Sequence, residues 1–119
     1  MQRFVLALLA YLVLDGIWLS LNSFYPTTLE VTTPRLVVGG GIAWLALAAG
    51  QALLPTASSW KDAIVMGGLF GAVVYAVYNG TEFATRSDWT VGIACMDWLW
   101  GTFTGILVAS LLWFAKLQK

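Results

Sequence analysis

The stretch AIVMGGLFGAVVYAVYNGTEFAT, residues 63–85, decides how the rest of the chain is read. It opens as an apolar run long enough to cross the hydrocarbon of a bilayer, which takes about 20 residues of helix. It then admits Asn79, Thr81, Glu82 and Thr85 before any loop begins. A membrane helix that places an amide and a carboxylate near one end raises two questions. One is how many such helices the chain holds; the other is what those polar groups meet.

Composition answers the first in outline. Apolar residues make up 60% of the 119 residues and charged residues 10%, with a mean hydropathy of +0.81. A water-soluble domain carries about 25% charged residues, so the apolar surplus here faces lipid. The length suits one domain. Six basic residues balance six acidic ones and form no basic stripe, which argues against a nucleic-acid partner. Histidine is absent, and with it the commonest metal ligand and general base. Cys95 is the sole cysteine, so no internal disulfide forms; its apolar setting predicts a buried, inert thiol.

Four stretches are apolar and long enough to span: residues 3–22, 35–54, 63–85 and 90–115. They predict an all-α fold, a polytopic transmembrane four-helix bundle forming a single transmembrane domain over 1–119. The first run has Arg3 at its head, as a signal peptide would. Its length, Asp15 within it and the lack of a small-x-small cleavage site make it a retained span. Pro26, Pro34 and Pro55 fall in or beside the first two connections, where helix breakers belong. Arg3, Lys61, Lys116 and Lys119 fall on one side of the membrane, and Arg35 and Arg86 on the other. The excess places both termini on the cytosolic or equivalent side.

In lipid, small residues let helices approach closely. Gly67-xxx-Gly71, Gly101-xxx-Gly105 and the run Gly39-Gly40-Gly41 supply such faces. They serve either internal packing or a contact with a second copy; a homo-oligomer or a place among other membrane subunits follows from the latter. Trp60, Trp89 and Trp113 sit near span ends, as interface anchors do, whereas Trp18, Trp98 and Trp100 lie deeper.

Alternation of the spans gives each polar residue a depth. Asp15 lies past the midpoint of the first span, Asn79 and Glu82 late in the third, and Asp97 early in the fourth. All four then belong to the same half of the membrane. Their faces also match at helical spacing: Tyr11, Asp15, Trp18 and Asn22 form one stripe, Tyr75, Asn79 and Glu82 a second, and Asp97, Trp100 or Gly101, and Thr104 a third. An ionised carboxylate deep in hydrocarbon costs about 2.5–3.5 kcal/mol on insertion scales. Glu82 can meet Arg86 one turn on. Asp15 and Asp97 can be protonated, can hydrogen-bond an indole, a phenol or the backbone, or can line a wet pocket for a proton, cation or small polar ligand. The candidate site is therefore Asp15, Asn79, Glu82 and Asp97, lined by Tyr11, Trp18, Tyr75, Tyr78 and Trp100. Asn79-Gly80-Thr81 also fits the N-glycosylation pattern, but inside a predicted span.

No Walker loop, HExxH or Cys/His cluster occurs, and no serine has a histidine to serve. Hydrolase and metalloenzyme chemistry lack their usual groups, no metal ligand is assigned and no cofactor follows from the sequence. Carboxylate acid/base chemistry on a lipid stays open.

Three stretches, LDGIWL at 14–19, YAVYNGTEFAT at 75–85 and MDWLWGTF at 96–103, resemble a family of small four-helix membrane proteins known only as a domain of unknown function. Its pattern has Asp-x-x-Trp in the first helix, Tyr-x-x-Tyr-Asp-x-Thr-Asn-x-Ala-Thr in the third and Val-Asp-x-x-Trp-Gly in the fourth. Asp15, Trp18, Tyr75, Tyr78, Thr81, Ala84, Thr85, Asp97, Trp100 and Gly101 match it. Asn79 stands where the family has an acid and Glu82 where it has an amide. The resemblance implies a multi-pass protein in a lipid bilayer and lends no activity. The residues leave three readings: an intramembrane site for a proton, cation or small polar ligand; a structural or accessory subunit whose polar cluster packs helices; and an aromatic surface holding a lipid, quinone or pigment.

Overall fold

The computed structural model describes residues 1–22 and 33–115. Pro26, Lys116 and Lys119, used above for turns and orientation, lie outside the described residues. The chain forms four helices: α1 (Gln2–Leu21), α2 (Thr33–Leu53), α3 (Trp60–Thr85) and α4 (Val91–Phe114). By length and composition, α1, α3 and α4 can each cross a membrane, with mean hydropathies of 2.2, 1.5 and 1.5 over their most apolar windows. The continuous apolar stretch described in α2 is shorter, Val37–Leu53.

Local chemistry sets the ends. Pro34 lies in the first turn of α2, where the missing N–H costs no helical bond. Ser59 caps α3 by accepting from the Asp62 N–H at 3.1 Å, and Ser58 donates to the Asp62 carboxylate. Thr90 does the same for α4, accepting from the Ile93 N–H at 3.2 Å. At the far end of α1, both the backbone N–H and the side-chain amide of Asn22 donate to the Trp18 carbonyl. Each cap satisfies a backbone group the helix cannot pair itself.

The chain divides into two compact units, one ending at Leu53 and the other starting at Leu54. In the first, α1 packs on α2. Arg3 and Tyr11 reach Gln51, and Asp15 reaches Trp44, so the two helices run antiparallel. Ala7, Tyr11, Leu47, Ala48 and Gln51 are buried between them.

In the second unit, α3 packs antiparallel on α4 along a glycine seam. A Cβ on Gly67 would strike the Gly105 carbonyl and the Ala109 methyl; one on Gly71 would strike the Gly101 carbonyl. The Tyr75 ring occupies the space where a Gly101 side chain would stand. The two glycine motifs of α3 and α4 thus face each other within one unit, and their lack of side chains sets how closely the helices approach. The Trp98 indole donates to the Ala72 carbonyl at 2.9 Å and braces the same seam.

The outward faces are apolar. On α3 they carry Val65, Leu69, Val73 and Val77, and on α4 Leu99, Phe103, Leu107 and Leu111, all exposed and spaced one turn apart. Leaving such side chains in water forfeits about 1.5–3 kcal/mol each, so these faces require lipid or another apolar cover. Several hydroxyls turn inward on their own helix. Ser20 donates to the Gly16 carbonyl at 2.6 Å, Thr81 to Val77 at 2.8 Å, Thr85 to Thr81 at 2.7 Å and Thr102 to Trp98 at 3.0 Å. Cys95, expected to be buried, is exposed. It lies on the α4 face that carries Leu99 and Phe103 rather than on the seam, a rotation the apolar run alone does not specify.

Candidate functional site

The polar centre of the second unit is Asn79. It sits on the inner face of α3, one turn past Tyr75, and is 4% exposed. Its amide nitrogen donates to the Tyr75 carbonyl at 2.9 Å and to the Asp97 carboxylate at 2.8 Å. Its amide oxygen accepts from the Trp89 indole N–H at 3.1 Å. Acceptors face the nitrogen and a donor faces the oxygen, which fixes the orientation of the amide. An ionised acid at this position would set acceptor against acceptor at Asp97.

Asp97 comes from the second turn of α4 and is 1% exposed. Its carboxylate lies in the α3–α4 interface with the Asn79 amide as a donor. Trp89 precedes α4 and is 2% exposed, although it belongs to the α3–α4 turn. The Tyr78 ring meets it edge-on, with centroids 6.0 Å apart. Trp100 packs against Phe103 on α4 itself, at 6.0 Å.

Glu82 lies three residues beyond Asn79 and makes a different contact. Its carboxylate pairs with Arg86 at 2.8 Å. Arg86 also forks onto Asp88, with Nε to Oδ1 at 3.0 Å and Nη2 to Oδ2 at 2.7 Å. The guanidinium carbon stands 5.0 Å from the centroid of the Trp89 ring. Hydrogen bonds donated to Asp88 and then to Glu82 hold the guanidinium above its ordinary range. The hydrogen bond from Arg86 holds the exposed Asp88 carboxyl below the usual carboxylate range.

Asp15 belongs to the first unit, with Tyr11 and Trp18. Its carboxylate accepts from the Trp44 indole at 2.9 Å. The Tyr11 hydroxyl, 1% exposed with its side chain, accepts from the Gln51 amide at 3.1 Å. Arg3 reaches across to the Gln51 backbone carbonyl at 3.4 Å, a cation placed near the carbonyl end of α2.

Of the residues expected to form one site, Asn79 and Asp97 meet directly. Glu82 turns to Arg86, and Asp15 takes its own partner on α2. Sequence reasoning missed Trp44 as the donor to Asp15, and it read Trp89 as an interface anchor rather than a buried donor. Gln51 carries a signal that spacing could have supplied: it follows Trp44 by seven residues, on the same face of α2.

Among the described residues no group of three His, Cys, Asp or Glu side chains could hold a metal ion. A shallow groove of about 310 Å³ runs beside the Asn79 clasp, between Ala76 and Gly80 on α3 and Ala94 and Trp98 on α4. Its wall is apolar.

Residues 1–114 match the family described as "Predicted membrane protein (DUF2177)", and the chain belongs to it. No curated protein matches the chain, and no solved structure does. The family description gives a membrane location and names no activity.

Proposed function

For this member of a membrane family, we propose a structural or accessory role, in which the intramembrane carboxylates join helices rather than take up a substrate. The observation that carries this reading is the chain Asp97–Asn79–Trp89. A carboxylate 1% exposed is bonded to an amide whose other contacts run to its own helix and to an indole of the same hairpin. Between α1 and α2 a part-buried carboxylate also bridges helices, Asp15 accepting directly from the Trp44 indole. A buried hydrogen-bonded network of this kind fixes one helix register, because a slipped register leaves polar groups unpaired in hydrocarbon. The exposed apolar stripes of α3 and α4 support a partner or lipid cover along the outside of the hairpin.

Two substitutions at one position test the reading. Asp97→Asn keeps a carbonyl oxygen to accept from Asn79 and should unfold within about 1 kcal/mol of the parent. Asp97→Leu leaves the Asn79 N–H unpaired and should lose about 1–3 kcal/mol. The site expected from Asp15, Asn79, Glu82 and Asp97, for a proton, cation or small polar ligand, makes the opposite demand in its proton or cation form. It requires a flux of protons or cations in reconstituted vesicles that Asp97→Asn abolishes, and that result would overturn the structural role. The accessory part is tested separately by native mass measurement from mild detergent. A complex with another membrane subunit is expected; a bare monomer at native expression levels would remove it.

A further inference from the structure

The second unit holds two polar assemblies, the ion cluster Glu82–Arg86–Asp88 at the α3–α4 turn and the buried clasp Asp97–Asn79–Trp89, and Trp89 takes part in both. We propose that the ion cluster is a latch: Arg86, gripped by Glu82 and Asp88, holds the Trp89 ring in place and thereby sets how firmly Asn79 and Asp97 join α3 to α4. Arg86 is then a positioning residue, acting through Trp89. The inference rests on the clasp reading above.

Among the contacts of the Trp89 side chain, three constrain different freedoms. The N–H bond to Asn79 at 3.1 Å points the ring edge into the helix interface. Tyr78, nearly perpendicular at 87°, limits sideways movement. Arg86, 5.0 Å from the ring centroid, covers a face of the ring. The guanidinium is itself held in place by two carboxylates. Asp88 takes two of its N–H groups in a fork and Glu82 a third, and the fork specifies the guanidinium plane as a lysine ammonium could not. The two anchors come from different places. Glu82 is on α3, one turn beyond Asn79, and Asp88 immediately precedes Trp89. The latch therefore ties the turn back to the helix that carries Asn79. The backbone supports it with a bond from the Trp89 N–H to the Arg86 carbonyl. Without Arg86, the ring keeps its N–H partner but loses the contact on the face the guanidinium covers, and the indole opens more often. Each opening leaves Asn79 Oδ1 without its indole donor.

The test uses the full chain in lipid nanodiscs with tryptophan indoles labelled with nitrogen-15. The Trp89 signal is identified by its loss in Trp89→Phe. The readout is hydrogen exchange of the Trp89 indole N–H, compared with that of Trp98, which bonds the Ala72 carbonyl in the same hairpin. Arg86→Gln should speed Trp89 exchange about two- to fivefold, the range a cation–π contact supports, and leave Trp98 unchanged. Arg86→Lys, with charge but no fork, should fall between. If Arg86→Gln does not insert, the pair Glu82→Gln with Asp88→Asn releases the arginine without removing it and should give the same local acceleration. Unchanged Trp89 exchange would overturn the proposal. So would equal acceleration at Trp89 and Trp98, which would mean general loosening. Failure of the clasp itself reads out elsewhere, as an Asp97→Leu variant that unfolds like the parent.

Discussion

The glycine seam of the second unit makes a prediction in which one substitution has opposite signs at two positions of α3. Replacing glycine by alanine inside a helix gains about 1 kcal/mol of propensity. At Gly80 nothing lies within 4 Å of the new methyl group, so Gly80→Ala should keep that gain. At Gly71 the methyl would run into the Gly101 carbonyl and close on the Thr102 Cα. Both are backbone, so the helices must separate, and overpacking of that kind costs about 1–3 kcal/mol. The net for Gly71→Ala is a loss of up to about 2 kcal/mol, which leaves the two variants about 1–3 kcal/mol apart. Gly67 and Gly105 add a second check, because each would press its methyl on the other's carbonyl. Once Gly67→Ala has forced the helices apart, adding Gly105→Ala should cost less than it does alone. Reversible unfolding in mixed micelles, followed by circular dichroism, measures all of these. Equal effects of Gly71→Ala and Gly80→Ala, or strict additivity of the Gly67 and Gly105 variants, would refute a close backbone contact along the seam.

Three further outcomes follow from the geometry. Trp44→Phe removes the indole donor from Asp15 while keeping most of the ring, and should destabilise the α1–α2 pair by about 1–3 kcal/mol; an unfolding midpoint identical to the parent's would count against the contact. Because Arg86 holds Asp88 below the usual range, the contribution of that pair is present above the ordinary carboxyl pKa of about 3.9 and is lost as pH falls through the lower folded value. A carboxyl-carbon titration of Asp88 should therefore show its midpoint below 3.9, and a midpoint at or above it would refute the fork. Expression in a glycosylating host should add no glycan at Asn79, whose side chain is 4% exposed and whose amide is bonded to Asp97 and the Tyr75 carbonyl; an added glycan mass removed by Asn79→Gln would contradict that placement.

Much of the helical layout can be read from letters alone. The expected spans 3–22, 35–54, 63–85 and 90–115 lie within a few residues of α1 to α4, because the runs are long and Ser59, Thr90, Pro34 and Pro55 punctuate them. The pairing of Gly67 and Gly71 with Gly105 and Gly101 was legible as a pair of close-packing faces, but not as a pair that face each other. Partners are harder. Whether Asp15 meets Trp44 or another indole depends on the rotation and register of α2 against α1, and a periodic pattern fixes neither. Trp89 misled for a related reason. Tryptophans at span ends usually anchor at the interface, and only the fold of the turn brings this one's N–H back to Asn79. Cys95 shows the same limit in reverse: one step around α4 separates a seam position from an exposed one.

The hydroxyls of Ser20, Thr81, Thr85 and Thr102 each donate to a carbonyl one turn back. Their dipoles are folded against the helix, so partitioning into hydrocarbon does not strip an open donor of water. For the translocation machinery that sorts segments by transfer energy, these stretches are greasier than their letters suggest. Among the described residues, the open polar groups within the helices include Asp15, Gln51, Asn79, Glu82 and Asp97, each of which has a partner on another helix or on the adjoining turn. A spanning helix entering alone would hold such a group bare until its neighbour arrived, which favours delivery of α3 with α4 as a pair.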